Sequence, residues 1–413
     1  MRSLHRTATI TIFSDPIKMD FSLFSPRFFP RLFLLFVSGM LLFGTAAVPA
    51  TETVRFRYLG QERSEEGRQI FQASGGTAFE SRSGQMFIIA PEEMISRNKN
   101  DAPFTPFTKE EMSASLLQEF PPEKGFHLLE NEPFIIVYTT SKAFAHWYSR
   151  LLKKLYSGYM QYWKNRGIEL HAPEFPLVAV VLSNEKRFQE YTRHDGITLS
   201  KGQCAYYYKM TNRIAMYDMT GHQTFQEGNQ KRGSSADISA FLKQPNAYLN
   251  IMSVIHEAVH QVGFNTGMHS RFAPTPVWFS EGLAVFHEVP DVKNKDVGWT
   301  LGPRVNENRL EQLRAFWQRQ PEQPIQKMIV VSGDPLFSRP QSALDNYALA
   351  WGLVYYLTKQ RPKAWAEYIE ILRAKNPLSE DTDETRLKDF ESCFGKDWDR
   401  LYREFNNYMK RQK

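Results

Sequence analysis

The spacing of apolar and polar positions changes character along the chain. From Val54 to Tyr58, apolar residues alternate with Arg55 and Arg57, the period of a strand with one buried face. "RQIFQASGGTAFESRSGQMFIIAP" continues as strands interrupted at Gly-Gly and Ser-Gly turns. Together they predict a small β module over residues 51–97. "NKNDAPFTPF" breaks the pattern, and residues 98–125 are expected to be a linker carrying one short helix. That helix opens at Thr108, whose T-x-x-E spacing to Glu111 is a capping box, and runs to about Gln118 before "FPPEKG" ends it.

From Phe126 onward both periods occur. "FIIVYTT" and "FPLVAVVL" are unbroken apolar runs of strand length, as in strands covered on both faces. Between them Phe144, Tyr148, Leu151, Leu152, Leu155 and Tyr159 fall on one face of a helix predicted from Ser141 to Asn165. Ser183 is expected to cap a short helix through Tyr191. "GQCAYYYKMTNRIAMYD" reads as a hairpin turning at Met210-Thr211-Asn212, and "GHQTFQEGNQKRGSSADIS" as a polar insertion or a loop beside a site. After Val305 helical periods dominate: "RLEQLRAFW", "NYALAWGLVYYLTK", "AWAEYIEILRA", "TRLKDFESCF" and "DWDRLYREFNNYM". A sheet followed by a helical lobe is an α+β class.

The N-terminus carries a different signal. Arg31 precedes an apolar run from Leu32 to Phe43 that ends in small residues, the layout of an export signal with cleavage after Ala47 or Ala50. The run is short for a spanning helix, though an uncleaved anchor tethering the protein to a membrane is the alternative. Met19 gives a more ordinary start than Met1. Residues 1–50 are therefore read as a signal peptide or signal anchor, and the mature chain as periplasmic, cell-surface or secreted. In an oxidising compartment Cys204 and Cys393 either form one disulfide or stay as two thiols. The net charge of +6 is spread among acids without a recognition motif, which argues against nucleic acid as a partner.

The chemistry concentrates in "IMSVIHEAVHQVG". Pro245-Asn246 is expected to start a helix and Gly263 to end it. On a helix His256 and His260 stand one turn apart and can share one Zn²⁺, while Glu257 is turned about 100° from His256 and flanks the ion as a general base. Thr266 stands where a histidine would make a metzincin, and His269 is expected to lie solvated in a loop. Glu281, 21 positions after His260 (281 − 260) at the start of "VWFSEGLAVFHE", is the expected third ligand and leaves one coordination position for water. His287 and Glu288, about two turns further on, are poorly placed as ligands, but either is able to support one. Imidazole and carboxylate also suit Mn, Co and Ni.

"HEAVH" with "WFSEGLA" resembles the gluzincin metallopeptidases, particularly the aminopeptidase-like branch with H-E-x-x-H and W-x-x-E-G-x-A motifs. From about Phe126 to Met409 the chain further resembles an uncharacterised bacterial family of exported peptidase-MA-like proteins, through "FPLVAVVLSNEKRFQEY", "HEAVHQ", "PVWFSEGLAVF", "VNENRL" and "YALAWGLVYYL". The resemblance implies a thermolysin-like core over residues 126–413: a small mixed sheet over the active-site helix up to residue 263, then a mainly helical lobe. It implies one zinc ion on His256, His260 and Glu281, Glu257 as catalytic base, and a peptide or protein substrate. By the same pattern Tyr347, at the opening of "YALAWGLVYYL", stabilises an oxyanion or is a core aromatic, and the hairpin over residues 203–218 supplies the strand that pairs with substrate. Asn306 and Arg309 of "VNENRL" line the site or, more simply, serve a helix start and a surface. Ser280 replaces the usual Asn before the third ligand, and G-x-M-E-N is absent, so an ordinary aminopeptidase is not expected. The competing expectation is a peptidase-shaped binding module without turnover.

Overall fold

The computed structural model describes residues 50–199, 202–221, 234–244, 247–289, 304–319, 325–330, 337 and 340–413. The export signal, most of the polar insertion and the Pro245-Asn246 helix start lie outside them. The alternating N-terminal stretch forms β1 (Ala50–Tyr58), followed by β2 (Gln61–Ala73), β3 (Gly76–Ser81), β4 (Met86–Ile89) and β5 (Met94–Pro103), an antiparallel sheet of order β4-β3-β2-β1-β5. Its buried face is small: Val54, Phe56, Phe79, Phe87 and Ile89. The expected linker is thus partly strand. Glu52 pairs with Lys99 and Thr53 with Asn98, so long-range pairing with β1 overrides the weak strand propensity of "NKNDAP". Helix α1 (Lys109–Glu119) follows, with the Thr108–Glu111 capping box in place.

The second sheet comprises β6 (His127–Asn131), β7 (Phe134–Tyr138), β8 (Leu177–Leu182), β9 (Ala205–Tyr208) and β10 (Arg213–Tyr217), in the order β6-β7-β8-β10-β9. Its centre, β7-β8-β10, is parallel; β6 and β9 are antiparallel edges. All six residues of β8 are buried, as its unbroken apolar run requires. Helix α2 (Lys142–Lys164) is capped by Ser141, which accepts from the Phe144 amide, and it buries the predicted face. Helix α3 (Glu185–His194) is capped by Asn184 rather than Ser183: the Asn184 carboxamide accepts from the Arg187 amide at 3.0 Å. The insertion ends in a helix of its own, α4 (Ser235–Leu242).

Helix α5 (Ala247–Asn265) carries the histidine pair and does not stop at Gly263. Gly263 serves close approach instead: a Cβ there would meet His269 Nε2 at 3.1 Å and the Tyr159 hydroxyl at 3.3 Å. The helical lobe contains α6 (Val277–His287), α7 (Glu307–Arg319), α8 (Ile325–Val330), α9 (Pro340–Gln360), α10 (Pro362–Arg373), α11 (Asp383–Phe394) and α12 (Trp398–Lys410). Two sheets, the second with helices between its strands, precede a helical region, an α+β architecture. Among the described residues no helix is long and apolar enough to cross a membrane. Cys204, buried, and Cys393, partly exposed, are separate thiols, so the disulfide alternative is not realised.

Candidate metal centre

Three polar anchors fix α5 beneath the second sheet. Gln261 donates from Nε2 to the carbonyls of Val178 on β8, at 3.0 Å, and of Asn212, at 2.8 Å. Asn212, in the left-handed region at φ 58°, closes the β9–β10 turn, and its carboxamide exchanges hydrogen bonds with that of Asn265 at 2.8 and 2.7 Å. Each bond is buried, so losing one partner leaves an unsatisfied group. The third anchor is Glu257, whose Oε2 accepts from the Tyr207 amide of β9 at 2.8 Å. Within β9 that amide points away from β10, toward the free edge.

Helix α6 brings the third acid. Trp278, fully buried, packs against Trp365, Tyr368 and Phe390 of the helical lobe. Gly282 lets α6 lie directly against α9: a Cβ would stand 2.6 Å from Val354 Cγ2 and 2.8 Å from the Ala350 carbonyl. Glu281 is thereby held facing α5.

His256 Nε2 and His260 Nε2 lie 3.2 Å apart; Glu281 Oε2 is 3.1 Å from the former, and its Oε1 is 3.4 Å from the latter. All three side chains are buried. Two imidazole nitrogens facing each other beside a carboxylate are poor neighbours for one another but good neighbours for a cation. Metal bonds of 2.0–2.1 Å at tetrahedral angles span edges of about 3.4 Å, close to the separations present. Among the described residues Glu281 Oε1 receives no hydrogen bond, which leaves a buried anionic oxygen suited to an ion. His256, His260 and Glu281 thus form a site that can hold one metal ion.

The remaining ring nitrogens are also engaged. His256 Nδ1 is 3.1 Å from Glu288 Oε2, and His260 Nδ1 is 3.3 Å from Ser280 Oγ. Asn306 donates from Nδ2 to Glu288 Oε1 at 3.0 Å, and its Oδ1 accepts from the Arg309 amide at the start of α7. Asn306 therefore caps its helix and supports the site together. Of the two residues at the end of α6, Glu288 contacts a triad imidazole and His287 does not. His287 sits among Tyr159, Tyr162, Trp163 and Phe286, with ring centroids 4.8–5.6 Å away. His269 is buried rather than solvated: Gly267 and Met268 turn the chain back at the end of α5, and the ring packs on Phe264 at 4.1 Å.

Burial disfavours the charged forms here, and the local partners decide the outcome. For His256, hydrogen bonds donated to the Glu281 and Glu288 carboxylates outweigh burial and raise its pKa. For Glu281, burial is outweighed by His260 and His256, which hold the carboxyl well below its usual range. Burial wins at Glu257, whose pKa is raised against the pull of His256 and His260.

Tyr347 lies beside the site, its ring centroid 6.3 Å from that of His256 and with the Arg309 guanidinium 5.4 Å from its own. It does not open its helix, since α9 begins at Pro340. Neither Tyr207 as the residue holding Glu257 nor Lys209 in the β9–β10 turn is legible from spacing, since both depend on how the hairpin packs on α5. The Lys209 ammonium lies 4.5 Å from the ring centroid of Phe264, which in turn stacks on His260. Burial pushes the Lys209 pKa down to about 8, with Glu281 opposing and Arg271 assisting.

No curated protein matches the chain. Residues 250–379 match the family model described as Protein of unknown function (DUF1570), a span narrower than Phe126 to Met409 and less than half of the chain. That span contains His256, Glu257, His260, Glu281, Glu288 and Tyr347, so the buried triad and most of its surroundings fall within the stretch that is similar to this uncharacterised domain.

Proposed function

We propose that the protein is an exported zinc-dependent metallopeptidase that hydrolyses peptide bonds, with Glu257 as general base. The observation that carries this reading is the pairing of a buried His-His-Glu triad with a second, separately anchored carboxylate. Glu257 is held by a strand-edge amide at 2.8 Å, whereas Glu281 faces the imidazoles. A site that merely stored a cation would have no use for a second acid held in this way. The likeness of "HEAVH" and "WFSEGLA" to gluzincin motifs and the export-type N-terminus support the same reading.

A divalent ion bound by His256, His260 and Glu281 would lower the pKa of a water toward about 7 and polarise a carbonyl. The chain's own residues do the rest. Glu288 and Ser280 engage the Nδ1 positions and so turn both Nε2 atoms toward the ion. With Oε2 of Glu257 held by Tyr207, its Oε1 takes the proton from the attacking water and returns it to the departing amine. The Tyr347 hydroxyl donates to the developing oxyanion. Strand β9 is the edge of its sheet, and an extended peptide lies along it, using the edge groups that Glu257 and Gln203 do not occupy.

In the zinc-loaded full chain, Glu257→Gln is expected to retain the metal and lower hydrolysis of a mixed peptide library by at least about a hundredfold. Unchanged turnover would rule out the assignment of Glu257. Metal without cleavage of any peptide by the unsubstituted protein would favour a peptidase-shaped binding module.

A further inference from the structure

Resting on the peptidase reading, we propose that Lys209 is a substrate-binding residue that receives a carboxylate of the peptide near the scissile bond. Residues alternate across β9: Tyr206 packs toward Phe188, whereas Tyr207 stacks on Phe264 of α5 with ring centroids 5.9 Å apart. Two positions after Tyr207, Lys209 returns to the same side and lays its ammonium over the same ring, at 4.5 Å. Phe264 is one turn beyond His260 on α5 and stacks on it at 6.4 Å. Lys209 therefore stands just past the end of β9, on the side that faces α5 and its histidine pair.

Its charge is unbalanced. Among the described residues Lys209 forms no ion pair. Nearby Arg271 is already matched, donating from Nη2 to Glu80 Oε1 at 2.6 Å and to the Gly84 carbonyl at 2.8 Å. The one acid whose field reaches Lys209 favourably is Glu281. With a divalent ion bound there, Glu281 would no longer balance Lys209, and the partly buried ammonium would keep an aromatic face and no anion. A cation–π contact is worth about 0.5–2 kcal/mol and does not replace a carboxylate. A peptide added along β9 passes this ammonium and can supply the missing charge, either from an Asp or Glu side chain or from its C-terminal carboxylate.

The N-terminal sheet holds the hairpin in this position. The Met86 amide donates to the Met210 carbonyl at 2.7 Å, and the Glu80–Arg271 pair clamps the neighbouring loop. The β module is thus bonded to the hairpin one residue past Lys209.

The test uses the zinc-loaded full chain carrying Glu257→Gln, which binds peptide without consuming it. Retention is measured for pools of short random peptides that differ only in Asp/Glu against Asn/Gln, and in a free against an amidated C-terminus. Acidic pools are expected to be retained about tenfold better than their uncharged counterparts. Adding Lys209→Met, which keeps the apolar stem over Phe264, should erase the preference, and Lys209→Arg should keep it. The pool that shows the preference tells side chain from C-terminus. Equal retention of acidic and neutral pools, or a preference that survives Lys209→Met at unchanged zinc content, overturns the assignment of Lys209 and leaves the peptidase reading intact. Retention of no pool overturns both.

Discussion

Helices α5 and α6 and the loop joining them bury four histidines, and these form two contrasting pairs. His256 and His260 have carboxylates or a hydroxyl at their ring nitrogens, and their Nε2 atoms face each other. His269 and His287 are equally buried, yet aromatic rings surround them, and neither His287 nitrogen nor His269 Nδ1 has a hydrogen-bond partner among the described residues. Burial alone therefore does not make a histidine a ligand. The opposite electrostatic outcomes follow from the neighbours: carboxylates raise the His256 pKa, whereas burial lowers that of His287 to about 3. The first pair can hold a cation, and the second excludes charge.

The two pairs share a scaffold, and breaking it should give the largest effect. Trp278 anchors α6, which carries both Glu281 and His287. Trp278→Ala is expected to cost about 3–5 kcal/mol in chemical denaturation and to impair both surroundings together. Glu288→Gln touches only the carboxylate-rich pair. It should weaken metal affinity about 10–100-fold in chelator competition and leave the fold intact. A His287→Phe variant should leave metal affinity unchanged, which sharpens the contrast from the other side.

Acid distinguishes the pairs more gently. The His287 pKa is depressed in the folded state, so the unfolded chain binds the extra proton between about pH 6.5 and 3. Its penalty is absent above that window and grows as pH falls through it. Stability lost between pH 7.5 and 5 should be about 2 kcal/mol greater for the unsubstituted protein than for His287→Phe, read from denaturant midpoints at each pH. Equal losses would remove His287 from the acid response.

What was legible in the sequence follows the same division. His256, Glu257, His260 and Glu281 could be found because helical geometry converts spacing directly into direction, and two imidazoles one turn apart with a nearby acid have few other uses. The apolar runs of β7 and β8 and the helical periods after Val305 were legible for the same reason: period maps onto a buried face. Tyr207, Lys209 and the Asn306–Glu288 contact were not, because their positions depend on how distant segments pack. Nor could spacing separate His269 and His287 from solvated histidines, since their aromatic neighbours come largely from other elements, such as Tyr159 and Trp163 on α2. Strand β5 was missed through "NKNDAP" because its order comes from pairing with β1 rather than from its own residues.

The central claim is that His256, His260 and Glu281 hold a single divalent ion. It is tested most directly by the metal content of the purified full chain, measured by elemental analysis with and without His260→Ala. The account predicts about one equivalent of zinc in the unsubstituted protein and almost none in the variant, with both folded by circular dichroism. The same metal content in both proteins, or no metal taken up by the unsubstituted chain from excess zinc, would contradict it.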